Sequence, residues 1–248
     1  MRIHASVMAD LRARFSADEA NVWTTAWDCL PDSVISLALA GRIPAGKAYA
    51  VCRKMAASGW MALLGDGRKR RPIALIPHVS QEKTARVLEE EYDAASNKGE
   101  FLMKRYLDVA VHSEDFIENA HLEVLRSITG EPMEFDRYYR ERVAFEFNGP
   151  QHLGVTDKFN NETSALELQK RDTRKVWLCE KADIILVRIY VADLHPRIMS
   201  RLIPARLRRN YVDDQGPYHK TLCSLCAAYI AKATSVDIQQ MMAGKLGK

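Results

Sequence analysis

Met133-Glu134-Phe135-Asp136, followed by Val143-Ala144-Phe145-Glu146-Phe147-Asn148-Gly149-Pro150-Gln151-His152, is the stretch that decides the fold. Its second half alternates with a period of two, so Val143, Phe145 and Phe147 fall on one face of an extended segment and Ala144, Glu146 and Asn148 on the other. Met133 to Tyr139 and Arg142 to Asn148 therefore read as the strands of a hairpin. A turn near Arg140 sets Asp136 roughly opposite Glu146. Two carboxylates facing each other in a half-buried sheet repel and lose hydration. That arrangement makes physical sense when a divalent cation or a proton lies between them. The alternative is an edge position at which Glu146 is solvated.

On both sides of this hairpin the periodicity is helical. A helix from Glu100 to about Val111 places Glu100 on the face of Met103, Leu107 and Val111, so a third acid points inward. From there to Gly130 the chain reads as a connecting segment. Ser164 and Glu167 have capping-box spacing and open a helix to Lys181, on which Ala165, Leu168, Asp172, Lys175 and Cys179 share one face. Asp172 and Lys175 interrupt that apolar stripe. Either they pair with each other at i,i+3, or both reach toward the carboxylates. Ala182 to Val191, holding Ile184-Ile185-Leu186-Val187, reads as a buried strand. The order helix, hairpin, helix, strand predicts an α/β arrangement.

Residues 195–210 read as a basic helix with Arg197, Arg201, Arg206, Arg208 and Arg209, and one or two helices follow the Gly216-Pro217 break. Cys223-Ser224-Leu225-Cys226, near His219, has zinc-knuckle spacing but no second cysteine pair; Leu222, Leu225, Cys226 and Tyr229 also fit a helix face buried in a core. Neither a Gly-rich phosphate loop nor a nucleophile elbow occurs, which removes nucleotide hydrolysis and serine-hydrolase chemistry as leading options.

Upstream, Ser16-Ala17-Asp18-Glu19 has capping-box spacing and precedes Ala20, Val22, Trp23, Ala26, Trp27 and Leu30 at helical intervals, with a stop at Pro31. A second helix, Ser33 to Leu39, stops at Gly41. After Arg42-Ile43-Pro44 a third runs from Ala45 to Ala57 and closes at Gly59. On the third helix Ala48, Val51, Cys52 and Met55 face a core, leaving Lys47, Ala50, Arg53 and Lys54 toward solvent. A strand Trp60–Leu64, a Gly65-Asp66-Gly67 turn and a strand through Ile73 to Ile76 form a hairpin carrying Arg68, Lys69, Arg70 and Arg71. Three helices and a basic hairpin over residues 16–79 resemble a winged helix-turn-helix domain. That resemblance implies groove contacts from Lys47, Arg53 and Lys54 and phosphate contacts from Arg68, Lys69, Arg70 and Arg71. A helical bundle with an incidental hairpin fits the same order.

The 248 residues are 47% apolar and 27% charged, enough for one large core or two modest ones, and no apolar run approaches a membrane span. With no secretory pattern at the N-terminus and five cysteines, reduced thiols and a cytoplasmic location are expected. The net charge of +4 is uneven: residues 31–79 hold eight Lys/Arg against Asp32 and Asp66, whereas residues 81–100 hold six acids against three bases. A localised basic region suits a polyanion, or simply a solvated face.

The Glu146-Phe147-Asn148-Gly149-Pro150-Gln151-His152 run, with Gln169-Lys170-Arg171-Asp172 and Lys175 after it, resembles the PD-(D/E)XK, or restriction-endonuclease-like, nuclease superfamily, near its very-short-patch-repair and EDxHD branches. The likeness covers about residues 96–192 and implies a mixed sheet flanked by helices. It also implies Glu100 as helix acid, Asp136 as strand acid, Glu146 as second carboxylate and Phe147 as carbonyl donor to Mg²⁺ or Mn²⁺. Asn148 stands where the superfamily has lysine; Gln151, His152, Lys170 or Lys175 are the substitutes within reach. His152 suits a general base or proton shuttle.

The expected division is a winged-helix domain at 1–79, a helical linker at 80–99, a nuclease domain at 100–210 and a helical extension at 211–248. The expected activity is metal-dependent hydrolysis of phosphodiesters in double-stranded DNA, with a homodimer needed for symmetric double-strand cutting and no membrane partner. The alternatives are a non-catalytic DNA-binding regulator with a degenerate nuclease-like domain, and an RNA nuclease.

Overall fold

The computed structural model describes residues 5–66, 69–113, 115–149 and 162–246, the side chains of 5–6, 162–169 and 236–246 aside. These fall into two units, each made of two stretches of chain: Arg2–Glu89 with Asn210–Thr221, and Glu90–Arg209 with Leu222–Lys248.

The first unit contains α1 (Ala5–Arg14), α2 (Ala17–Cys29), α3 (Val34–Ala40), α4 (Ala45–Ala57), β1 (Met61–Leu64), β2 (Arg71–Ala74) and the start of α5 (His78–Ala94). Its helix ends follow from the sequence. The Ser16 hydroxyl accepts from the Glu19 amide while the Glu19 carboxylate accepts from the Ser16 amide, closing the predicted capping box on α2. Ser33 caps α3 and Gly41 ends it. Along α4, Ala48, Val51, Cys52 and Met55 are buried and Lys47, Ala50, Arg53 and Lys54 exposed, as the amphipathic spacing predicts. β1 and β2 pair antiparallel from Met61↔Ala74 to Leu64↔Arg71. The Trp23 indole donates to the carbonyls of Trp60 and Leu75 at 2.8 and 3.0 Å, which ties the hairpin to α2. α1 was not expected; Val7 and Leu11 bury its inner face.

In the second unit, α6 (Lys98–Ala110) precedes β3 (Phe116–Arg126), β4 (Pro132–Tyr139), β5 (Val143–Asn148), α7 (Glu162–Lys181), β6 (Ile185–Tyr190), α8 (Pro196–Leu202) and α9 (Pro217–Leu246). The sheet order is β3-β4-β5-β6, antiparallel except for the parallel β5–β6 pair, whose crossover contains α7. The architecture is thus α/β, with a four-stranded mixed sheet and flanking helices.

Three sequence-based expectations change. The segment expected to connect to Gly130 contains an 11-residue edge strand, β3, whose mainly polar exposed residues obscure it. The basic helix expected over 195–210 stops at Leu202, because Pro204 disfavours helical geometry at Ile203. The last strand is also shorter than Ala182–Val191, since Ala182 and Asp183 form the turn after α7.

Candidate functional site

The β4–β5 ladder pairs Arg137 with Phe145, Tyr138 with Ala144 and Tyr139 with Val143, so one step further along Asp136 stands opposite Glu146. The Phe147 amide donates to Asp136 Oδ2 at 2.6 Å. From α7, the buried Lys175 ammonium bonds Glu146 Oε1 and donates to the Glu134 carbonyl at 2.8 Å. From α6, Glu100 forms a 2.6 Å ion pair with Lys104, which also donates to Asn119 Oδ1 at 2.9 Å. Glu100, Asp136 and Glu146 thus share one electrostatic environment, contributed by a helix and two strands.

Asp136 shows the consequence. Burial pushes its carboxyl up to about 6; the Phe147 amide opposes this, Glu100 and Glu146 add like-charge repulsion, and Lys104 relieves part of it. Glu100 and Glu146 have lysine partners, whereas Asp136 makes no ion pair among the described residues. Among the described residues these three acids face two lysines, and the donors present, carboxylate oxygens and a strand carbonyl at Phe147, are of the kind Mg²⁺ or Mn²⁺ takes. In the side-chain arrangement seen, no three His, Cys, Asp or Glu among the described residues converge to hold a metal ion. Lys104 pairs with Glu100 and Lys175 with Glu146.

Regular alternation fails at Asp136. Phe135 joins the cluster of Met133, Ala144, Cys179 and Ile184, yet Arg137, only two residues on, is fully buried and bonds Asp108 and the Lys104 carbonyl of α6. Across the ladder, between the Glu118↔Arg137 and Ala120↔Phe135 pairs, Asn119 faces Asp136 with φ 50°, a left-handed conformation that asparagine tolerates better than most residues. The same irregularity brings the Asn119 amide oxygen to Lys104 and lets Glu118 take Arg137 at 2.6 Å.

Of the sequence-predicted site residues, Glu100, Asp136, Glu146, Phe147 and Lys175 come together. Asp172 sits half-buried on α7, and Lys175 reaches Glu146. Asn148 is buried and pairs in register with Tyr190. Lys170 is exposed on α7, and Gln151 and His152 lie outside the described residues. Sequence reasoning missed Lys104, Asn119 and Glu118; the signal available was Lys104 four residues after Glu100 on an apolar helix. Among the predicted nucleic-acid contacts, Lys47 and Lys54 pair at 2.6 Å with Asp18 and Glu19 of α2. Arg53, Lys69, Arg70 and Arg71 are exposed, and Arg68 lies outside the described residues. Cys226 is buried in α9 with its thiol pushed up to about 12 by burial, as a core residue's would be.

No model of a protein family matches this chain, and neither does any curated protein or solved structure.

Proposed function

We propose that the protein is a metal-dependent DNA endonuclease, in which a winged-helix unit docks duplex DNA and a restriction-endonuclease-like unit hydrolyses phosphodiesters. One observation carries it: Asp136, a half-buried acid that makes no ion pair among the described residues, faces Glu100 and Glu146. Like-charged acids held together do not stabilise a fold, so the cluster points to a ligand that supplies positive charge.

Asp136, Glu146 and the Phe147 carbonyl would hold Mg²⁺ or Mn²⁺, which would supply Lewis-acid polarisation of the scissile phosphate and of an attacking water. The Phe147 amide fixes the direction of the Asp136 carboxylate. Lys175, already at Glu146, provides the ammonium that the superfamily pattern places at Asn148; it orients the water and neutralises charge on the phosphate. His152, four residues after the end of β5, is assigned proton transfer, Gln151 is a further candidate to position the water, and Asp172 supports Lys175 from α7. Lys47, Arg53 and Lys54 contact the groove and Arg68, Lys69, Arg70 and Arg71 the phosphates. Two copies acting together are needed for a symmetric double-strand cut.

The non-catalytic alternative is favoured by one observation, the engagement of Glu100 and Glu146 by lysines rather than by open ligand positions. Incubation with supercoiled and linear duplex DNA plus Mg²⁺ or Mn²⁺, with EDTA controls, separates the two. Metal-dependent nicking supports the nuclease, and retardation without nicking supports the regulator. A parallel duplex RNA substrate tests the sugar preference.

A further inference from the structure

We propose that Lys104 is a fixed counter-cation of the acid cluster, one that keeps Glu100 from ligating the metal and holds the metal affinity of Asp136 and Glu146 below that of three free carboxylates. This role rests on the metal-dependent reading above and specifies its ligand set.

An ammonium has three N–H bonds, and that of Lys104 is met by Glu100 Oε1 at 2.6 Å and Asn119 Oδ1 at 2.9 Å, with Glu118 Oε2 at 3.7 Å. The residue is 6% exposed, unlike the solvated i,i+4 pairs that contribute little. Its ammonium partners come from α6 and from β3, neither of which carries Asp136 or Glu146, and Arg137 of β4 anchors its backbone carbonyl and Glu118. If Lys104 left, the half-buried Glu100 would lose its cation and the left-handed Asn119 its hydrogen bond, a costly exchange. Lys175 differs. Its partners are a carboxylate and a carbonyl on the strands β4 and β5, beside Asp136, so its withdrawal from Glu146 opens a ligand position directly. Two lysines on two helices thus divide the work, with one staying and one yielding.

A fixed positive charge beside a divalent ion weakens its binding. Mn²⁺ binding to the full chain without nucleic acid, read from the free-ion electron paramagnetic resonance signal, tests this on Lys104→Gln, Lys104→Arg and the double variant Glu100→Gln/Lys104→Gln. Lys104→Gln is expected to bind Mn²⁺ at least about fivefold more tightly. Lys104→Arg and the double variant should stay within about twofold of wild type, the first because it keeps the charge and the second because it removes a balanced pair.

Unchanged or weaker binding by Lys104→Gln overturns the proposal. If that variant does not fold, the double variant decides: tenfold weaker binding makes Glu100 a ligand and overturns the proposal, and near-wild-type binding supports it. A wild-type protein that binds no Mn²⁺ overturns the nuclease reading as well, whereas wild-type binding without tightening in Lys104→Gln overturns only the role of Lys104.

Discussion

The Phe147 amide gives Asp136 one short hydrogen bond, while Glu100 and Glu146 face it with like charge. Because its folded-state pKa, about 6, lies above the ordinary 3.8, the folded protein binds the proton more tightly than the unfolded chain. Its contribution is fully present below the unfolded value and is lost as pH rises through about 6. Metal-free thermal denaturation should therefore show stability falling over that window by on the order of 2 kcal/mol, and Asp136→Asn should flatten the profile and raise Tm at pH 7.5. On the proposed reading, saturating Mg²⁺ should reverse the slope, since an ion held there would favour the ionised carboxyl.

Gly99 is a second residue-scale constraint. A Cβ there would lie 2.2 Å from the Phe147 ring and 2.9 Å from Tyr229 Oη, so Gly99→Ala should cost about 1–3 kcal/mol in urea denaturation. The placement of Asp136 opposite Glu146 was legible from the hairpin and its turn. Lys104 was not, because an i,i+4 Glu–Lys pair looks like any solvated pair until β3 covers it.

At the scale of elements, α6 docks on the sheet through charge. Arg137, with no exposed surface, binds Asp108 at 2.8 Å and Glu118 at 2.6 Å and lies over the Phe116 ring. Arg137→Met strands two acids and should destabilise by about 3–5 kcal/mol, measured by chemical denaturation. In the other unit, the α4 pairs with Asp18 and Glu19 are exposed and weak. Asp18→Asn frees Lys47 and should tighten duplex DNA binding about twofold at low salt by fluorescence anisotropy, with Tm unchanged. The capping box, α4 and the β4–β5 register could be read because local chemistry dictates each. β3 could not, since a strand paired on one side and largely open to solvent lacks an apolar signature. Nor could the end of α8 while Pro204 was overlooked.

Over the whole molecule, the basic groups proposed to bind DNA and the acids proposed to cut it belong to different units. Asp136→Ala should accordingly keep its DNA-binding isotherm within about twofold of wild type while losing metal-dependent cleavage by at least about a hundredfold. The two-unit division came less directly from sequence than the elements did, because residues 210–221 return to the first unit after the sheet is complete.

Crystals soaked in Mn²⁺ and measured at its absorption edge test the central claim most directly. An anomalous peak bridging Asp136, Glu146 and the Phe147 carbonyl, with Lys175 drawn off Glu146 and Lys104 still on Glu100, is the predicted result. An absent peak at full soak, with Lys175 still bonded to Glu146, contradicts it.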